Sequence, residues 1–450
     1  MLKLKICDAA KAIDGKYTAD GEFKGVFTDT RKAVKGGLFV ALEGEKFDGH
    51  DFIGKAEELG AAAVLCRKNI NAGIPVIYAD DTKKALLNLA SYYRGLFDIP
   101  VVGITGSVGK TTAKDMTALV AGAKYKTVKT QGNLNNDIGM PMTIFNIDDS
   151  TEAAVIEMGM NHKGEISALT AVSRPTAGII TNIGVSHIEN LGSRENILKA
   201  KLEILEGMKK GSPLILCGDN DLLKTVKNND YDIMFFGIEN TNCPVFADDI
   251  VLSEQSTSFK ILYNNKKYDA FVPIAGVHNV YNALAAFSAG VKLGVEPEEA
   301  IEALRGFEPT GMRQKTEKHG GITFIEDCYN ASPDSVKAAV SILMTSEGSR
   351  HIAVLGDMLE LGDYSENAHR ICGELAASKG VDMLFAYGEK SVFTAEGAKN
   401  SGMEKVYHFT DPKDLSESLL NTLKPGDAVV FKASRGMKLE NVINDIYEKI

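Results

Sequence analysis

The segment Pro100–Thr105, PVVGIT, runs directly into Gly106-Ser107-Val108-Gly109-Lys110-Thr111-Thr112 and then into the helical pattern AKDMTALVAGA. A strand, a glycine turn and a helix in immediate succession form the setting of a phosphate loop. Gly106 and Gly109 let the backbone curl so that its N–H groups face phosphate oxygens, and the helix start adds a field that favours anions. Lys110 is placed to reach the β- and γ-phosphates, and the Thr111 hydroxyl to ligate Mg²⁺. The strict G-x-x-x-x-G-K-T spacing asks for glycine at 104, where Ile104 stands; Gly103 comes one residue too early. The competing reading, a glycine-rich turn with an incidental lysine, does not account for the coincidence of strand, turn, GKTT and helix.

The rest of the chain repeats the strand-then-helix theme. Apolar runs recur at 36–42 and 61–67, then at 153–159, 176–184 and 213–218, and again at 322–328, 351–358, 382–388 and 427–434. Helical patterns separate them, as over 81–97, so the fold class is α/β with mostly parallel sheets. The stretch 258–274 differs: two strands flank Asn264-Asn265-Lys266, which predicts a hairpin. A chain of 450 residues exceeds what one core usually supports. Three domains are expected, over 1–97, 98–312 and 313–450.

A net charge of -10 argues against broad binding to nucleic acid or an anionic membrane, without excluding a local basic pocket. The six cysteines are scattered and contain no C-x-x-C pair, which speaks against a disulfide framework or a zinc site. The N-terminus lacks a signal-like apolar run, and no stretch approaches the ~18 apolar residues that span a bilayer. A soluble cytoplasmic protein is expected.

Ligands of α/β sheets gather at the carboxyl ends of strands. There stand Glu157, Asn182 and His187, with Lys199 and Lys201 on a following helix. Taken singly, each is equally well a surface or loop residue; the phosphate loop beside them raises the functional reading. Asn133, Asn135 and Asn136 lie in the loop 130–141, which composition alone reads equally well as a turn-rich linker. The guanine-reading N-K-x-D motif of regulatory GTPases is absent, since Asn265-Lys266 is followed by Lys267-Tyr268.

Together these pieces resemble the Mur ligases of peptidoglycan synthesis. The motifs run in order along the chain: TDTR (28–31), GEKFDGHDF (44–52), GITGSVGKTT (103–112), TQGNLNNDIGMP (130–141), EMGMNHKGEI (157–166), TNIGVSHIENLGS (181–193), AKLEI (200–204), GVHNVYNALAA (276–286), EDCYNASPDS (326–335), LGDMLELG (355–362) and KASRGMKLE (432–440). The family places its phosphate-loop glycines as this chain does, which removes the Ile104 irregularity. The resemblance implies an N-terminal domain for a UDP-sugar peptide, a central P-loop ATPase-like parallel sheet and a C-terminal Rossmann-like domain.

By the same resemblance, Thr28, Asp29, Thr30, Arg31, Asp48, Gly49 and His50 would hold the UDP-muramoyl substrate, and Asn133, Asn135 and Asn136 are further substrate candidates. Residues 106–112 would cradle the phosphates of ATP. Thr111, Glu157, His187 and Lys201 would form the Mg²⁺ site, with Lys110, Glu157, His187 and Lys201 as the catalytic set. His278, Asn279 and Asn282 would lie on the adenine side. Arg313, Asp327, Tyr329 and Asn330 would close on the nucleotide, and Lys432, Ser434 and Arg435 would meet the acceptor. Lys201 aligns with a lysine that some members carry as a carbamate; an ordinary helix-surface lysine is an equal alternative.

Two departures stand out. Asn330-Ala331-Ser332-Pro333 replaces N-A-N-P; Ser332 should still cap the next helix, with Pro333 at its first position. Lys432-Ala433-Ser434-Arg435 replaces K-G-S-R, where alanine would be costly if the position needs positive φ. The implied activity is ATP-driven amide formation through an acyl phosphate. The implied partners are UDP-N-acetylmuramoyl-tripeptide and D-alanyl-D-alanine, with ATP and Mg²⁺ as cofactors and the protein a monomer. Absence of a D-N-P-R tetrapeptide favours the dipeptide acceptor over diaminopimelate. A related ligase with another acceptor, such as glutamate on folate, and a nucleotide-sensing regulator remain open at this point.

Overall fold

A computed structural model describes residues 1–44, 47–309 and 314–450. Among the described residues there are three main sheets. In the first unit, a two-stranded ribbon pairs β1 (Leu4–Lys5) with β3 (Glu22–Phe23). A five-stranded sheet has the order β2 (Lys16–Tyr17), β7 (Val76–Tyr78), β6 (Ala63–Cys66), β5 (Leu38–Val40), β4 (Val26–Phe27). The helix Thr82–Arg94 follows, begun by the Asp81 carboxylate, which accepts from the N–H groups of Lys83 and Lys84.

The central sheet has nine strands: β8 (Val101–Thr105), β9 (Thr127–Lys129), β10 (Ala153–Glu157), β11 (Ala177–Ile180), β12 (Pro213–Cys217), β13 (Asp232–Gly237), β14 (Val245–Leu252), β15 (Thr257–Tyr263) and β16 (Lys266–Val272). Their spatial order is β16-β15-β14-β13-β12-β11-β8-β10-β9. From β9 to β14 the pairs are parallel, and all five residues of β8 and of β10 are buried. Burial on both faces explains why these strands read as continuous apolar runs rather than as alternation. The expected hairpin is present: β15 and β16 pair antiparallel, and Asn264 and Asn265 take φ of 50° and 60°. Positive φ at both central residues is what a two-residue turn of type I′ needs, and asparagine tolerates it.

The third unit has six strands: β17 (Lys315–His319), β18 (Ile322–Glu326), β19 (Arg350–Gly356), β20 (Met383–Tyr387), β21 (Val406–Phe409) and β22 (Asp427–Lys432). Their order is β17-β18-β22-β19-β20-β21, parallel except for β17. Ser332 accepts from the Ser335 N–H and Pro333 opens the helix Pro333–Leu343, so serine does the capping expected of it. Ala433 is not among the positive-φ residues. The expected cost of alanine there does not arise; its methyl group instead fills the space a side chain on Gly356 would need.

A polar seam joins the first unit to the second. The Tyr93 hydroxyl donates to the Ile147 carbonyl at 2.6 Å, and Arg94 donates to the carbonyls of Ser173, Phe97 and Ile99. Arg174 returns the contact to Ser91 Oγ at 2.9 Å. No helix among the described residues is long and apolar enough to cross a membrane.

Candidate active site

The sheet order explains the site. β8 lies between β10 and β11, and all three run parallel, so their carboxyl ends share one edge. The phosphate loop leaves β8, Glu157 ends β10, and Thr181-Asn182 follow β11. The site therefore follows from strand topology.

Neighbours shape the loop closely. A Cβ on Gly106 would sit 1.9 Å from Thr181 Oγ1, and one on Gly109 would sit 2.6 Å from Asn282 Oδ1. Gly109 also has φ of 81° and starts the helix Lys110–Gly122 without a side-chain cap. An uncapped helix start offers its first-turn N–H groups to an anion. Asn182 Oδ1 already accepts from the N–H groups of Ser107 (3.1 Å) and Val108 (2.9 Å), so the loop is held in shape from behind. The Lys110 ammonium folds onto the carbonyls of Gly106 (2.9 Å) and Ser107 (3.4 Å). Thr112 lies with these residues on the cleft wall.

Glu157 is buried, at 1% exposure, yet engaged on both oxygens. Oε2 accepts from the Thr111 hydroxyl at 2.8 Å and Oε1 from Asn135 Nδ2 at 2.7 Å. The Thr130 hydroxyl accepts the Glu157 N–H, and the buried Lys114 ammonium donates to the Thr130 carbonyl. A buried carboxylate beside the loop threonine is the hard oxygen donor set that suits Mg²⁺. Asn135 is thus engaged in holding Glu157, and Asn136 Oδ1 accepts from the Gly139 N–H at 2.8 Å. Of the three asparagines read as substrate contacts, Asn133 alone keeps an exposed side chain with no hydrogen bond among the described residues.

Lys201 is not a surface lysine. It is 1% exposed on the helix Arg194–Leu202, and burial, with the Lys110 charge, holds its pKa well below the ordinary value. His187 lies on the cleft wall with φ of 64°. Its Nδ1 is 2.6 Å from Glu360 Oε2, an ion-pair separation whose angle is too oblique for a hydrogen bond. The histidine holds the Glu360 carboxyl below the usual range.

At the far end, His278 and Asn282 reach the cleft, whereas Asn279 does not. Asn279 Nδ2 donates to the Ala275 carbonyl and to Gln314 Oε1, and its Oδ1 accepts from Asn282, so it braces the others. Burial lowers the His278 pKa to about 4, which keeps the ring neutral. From the third unit come Asp327, Tyr329, Asn330 and Lys432. Lys432 pairs with Asp327 at 2.7 Å and donates to the Asn330 carbonyl. Ser434 and Arg435 lie off the cleft wall. Ser434 Oγ accepts from the Leu359 N–H, and Arg435 pairs with Glu440. Arg313 lies outside the described residues.

Thr28–Arg31 and Asp48–His50 are also away from this cleft. Asp29 caps the turn Thr30–Lys32 and holds Arg31 at 2.7 Å, with its carboxyl pulled down to about 2. His50 Nε2 accepts from the backbone of Arg67 and Lys68, which leaves Nδ1 to donate to Asp48 at 2.6 Å. Both ring nitrogens are engaged within the protein, so His50 shapes its loop. For the same reason the trio Glu43, Asp48 and His50 offers no imidazole to an ion. The sequence reading placed Asn182 at a strand end without giving it a role, and passed over Tyr281, Gln314, Lys83, Lys163 and Asp334, all of which line the cleft.

The cleft measures about 1250 Å³. That exceeds the few hundred to ~1,000 Å³ of a one-ligand pocket.

Three family domains match: "Mur ligase family, catalytic domain" over residues 22–103, "Mur ligase middle domain" over 104–290 and "Mur ligase, glutamate ligase domain" over 312–435. The UDP-N-acetylmuramoyl-tripeptide--D-alanyl-D-alanine ligase of Bacillus subtilis (strain 168) is 44% identical, across 100% of this chain and 99% of that one. The ligase of the same name from Escherichia coli (strain K12) is 33% identical, with 100% and 99% covered. A crystal structure of MurF from Acinetobacter baumannii superposes with a TM-score of 0.92 at 32% identity, covering 100% of both chains. MurF ligase from Thermotoga maritima in complex with ADP gives a TM-score of 0.83 at 27% identity, with 95% and 97% covered. With three family domains in order and full-length relatives above 30% identity, the chain belongs to the Mur ligase family.

Proposed function

We propose that the protein is an ATP-dependent ligase that joins D-alanyl-D-alanine to UDP-N-acetylmuramoyl-tripeptide in peptidoglycan precursor synthesis. One observation carries the reading: a single cleft is lined by the phosphate loop, by Glu157 and by Asp327, Tyr329 and Lys432 of the third unit. Activation and acceptor chemistry therefore have a common space.

The tripeptide's terminal carboxylate attacks the γ-phosphorus of ATP, the bond to ADP breaks, and an acyl phosphate forms. The acceptor amine then attacks the acyl carbon, loses a proton, and phosphate leaves. Two anions meet in the first step, so charge stabilisation and positioning dominate. Lys110 and the first-turn N–H groups of its helix supply fixed positive charge. Thr111, Glu157 and His187 would hold Mg²⁺, joined by Lys201 as a carbamate; when bound, the cation neutralises phosphate oxygens. Burial, with the Lys110 charge, shifts the Lys201 amine toward the uncharged form that addition of CO₂ requires. His278 and Asn282 would meet the adenine side, while the exposed Arg31 and the half-buried Thr28 would meet the UDP-sugar. The third unit shields the acyl phosphate from water. The protein would act as a monomer in the cytoplasm, where its nucleotide substrates are made.

The test is ADP release, crossing UDP-muramoyl peptides with candidate amines. Turnover is expected only with the tripeptide and D-alanyl-D-alanine together. Preference for glutamate or another single amino acid would assign a different ligase, and slow ADP release indifferent to both substrates would indicate a regulator.

A further inference from the structure

The segment Asp357–Glu360 follows β19 and faces the central unit. Each of its first three residues is anchored to the third unit. The Asp357 carboxylate accepts from the N–H groups of Lys390 and Ser391 and from the Ser391 hydroxyl. The Met358 N–H donates to Nε2 of His369, whose ring is fully buried. The Leu359 N–H donates to Ser434 Oγ at 2.9 Å, while the Ser434 N–H donates to the Asp357 carbonyl.

Glu360 comes next and crosses to the other unit. Its carbonyl lies 3.5 Å from the Glu189 N–H, and its carboxylate meets His187 at 2.6 Å. Glu360 and His187 have φ of 63° and 64°. Two non-glycine residues in the left-handed region facing each other is an arrangement that costs backbone energy and persists only where surrounding contacts over-determine it. Gly362, at φ of 50°, packs against Glu189, where a Cβ would stand 3.2 Å from its side chain. The contact is therefore built on both sides.

We propose that Glu360 is a positioning residue for His187. Its carboxylate, 2.6 Å from Nδ1, sets the ring's orientation by charge and leaves Nε2 for a divalent cation in the cleft. A histidine that ligates a metal through one nitrogen usually has its other nitrogen held by a carboxylate or carbonyl. Here that carboxylate comes from the acceptor-side unit, so the cation site is complete only when this unit is docked. Ser434 ties the same segment to the loop after β22, which links the cation site to the acceptor side. The proposal rests on the ligase reading above.

The experiment titrates Mn²⁺, followed by electron paramagnetic resonance, into the full-length enzyme with ADP and UDP-muramoyl-tripeptide, alongside the Mg²⁺ dependence of ADP release. Glu360→Ala is compared with Glu360→Gln and with Glu360→Asn, since asparagine tolerates the left-handed backbone. Expected is a ~10–100-fold weaker Mn²⁺ site and a matching rise in half-saturating Mg²⁺ for Glu360→Ala and Glu360→Asn. KM for ATP at saturating Mg²⁺ should be unchanged, and Glu360→Gln should fall between the wild type and Glu360→Ala. Wild-type Mn²⁺ binding and Mg²⁺ dependence in a folded Glu360→Asn enzyme would overturn the proposal. Failure of the ligase reading itself looks different: no substrate-dependent ADP release from the wild type.

Discussion

The Thr111 hydroxyl donates to Glu157 across 2.8 Å, joining the first turn of the phosphate-loop helix to the end of the neighbouring strand. The pair holds two oxygens together before any cation arrives. Glu157→Gln keeps the shape and removes the charge. ADP release should fall about 10²–10³-fold, the scale of losing one preorganised electrostatic group. Thr111→Ser should stay near wild type and Thr111→Val should not. Steady-state kinetics over a Mg²⁺ series checks both.

Lys201 gives a second prediction. Burial and the Lys110 charge lower the pKa of this buried amine, which favours the form that adds CO₂. Activity should drop in CO₂-depleted buffer and return with bicarbonate. Lys201→Ala should lose activity and respond to neither. An Lys201→Ala enzyme with wild-type Mg²⁺ dependence would rule the carbamate out.

The third concerns pH. His278 titrates at about 4 in the folded protein, against an unfolded value near 6.5. Between these values the unfolded chain binds more protons, so stability is complete above pH 6.5 and falls toward pH 4. Carboxylates titrate in the same window. The comparison is therefore between the wild type and His278→Gln, whose stability should depend less steeply on pH across this range in denaturant melts.

Gly109→Ala is the fourth. The left-handed φ of 81° alone should cost about 1–2 kcal/mol. The added methyl group would also press on Asn282, whose Oδ1 lies 2.6 Å from the new Cβ. KM for ATP should rise more than the change in thermal midpoint suggests, which nucleotide titration alongside calorimetry would show.

What could be read from the sequence divides by chemistry. β8, β10, β11, β12 and β22 were legible because buried parallel strands are continuously apolar. The edge strands β9, β17 and β21 were not, since KTEKH in β17 has no apolar run to see. Motif residues with a local signal, such as Gly109, Thr111, Glu157 and His278, line one cleft. The polar residues whose surroundings were not legible are those held by a distant partner. Asn135 is engaged by Glu157, Asn279 by Gln314, His50 by the backbone of Arg67, and Ser434 by Leu359. Nothing near them in sequence announces those partners. For Lys201, spacing gave a helix but could not give its burial.

Asn182 gives the phosphate loop a memory of its shape. With Ser107 and Val108 already tied to that one side chain, little of the loop's freedom remains to be lost when a nucleotide arrives. Capture should then be limited by encounter rather than by folding of the loop. An Asn182→Ala enzyme would bind through a search among loop conformers, with slower association and the same contacts at the end.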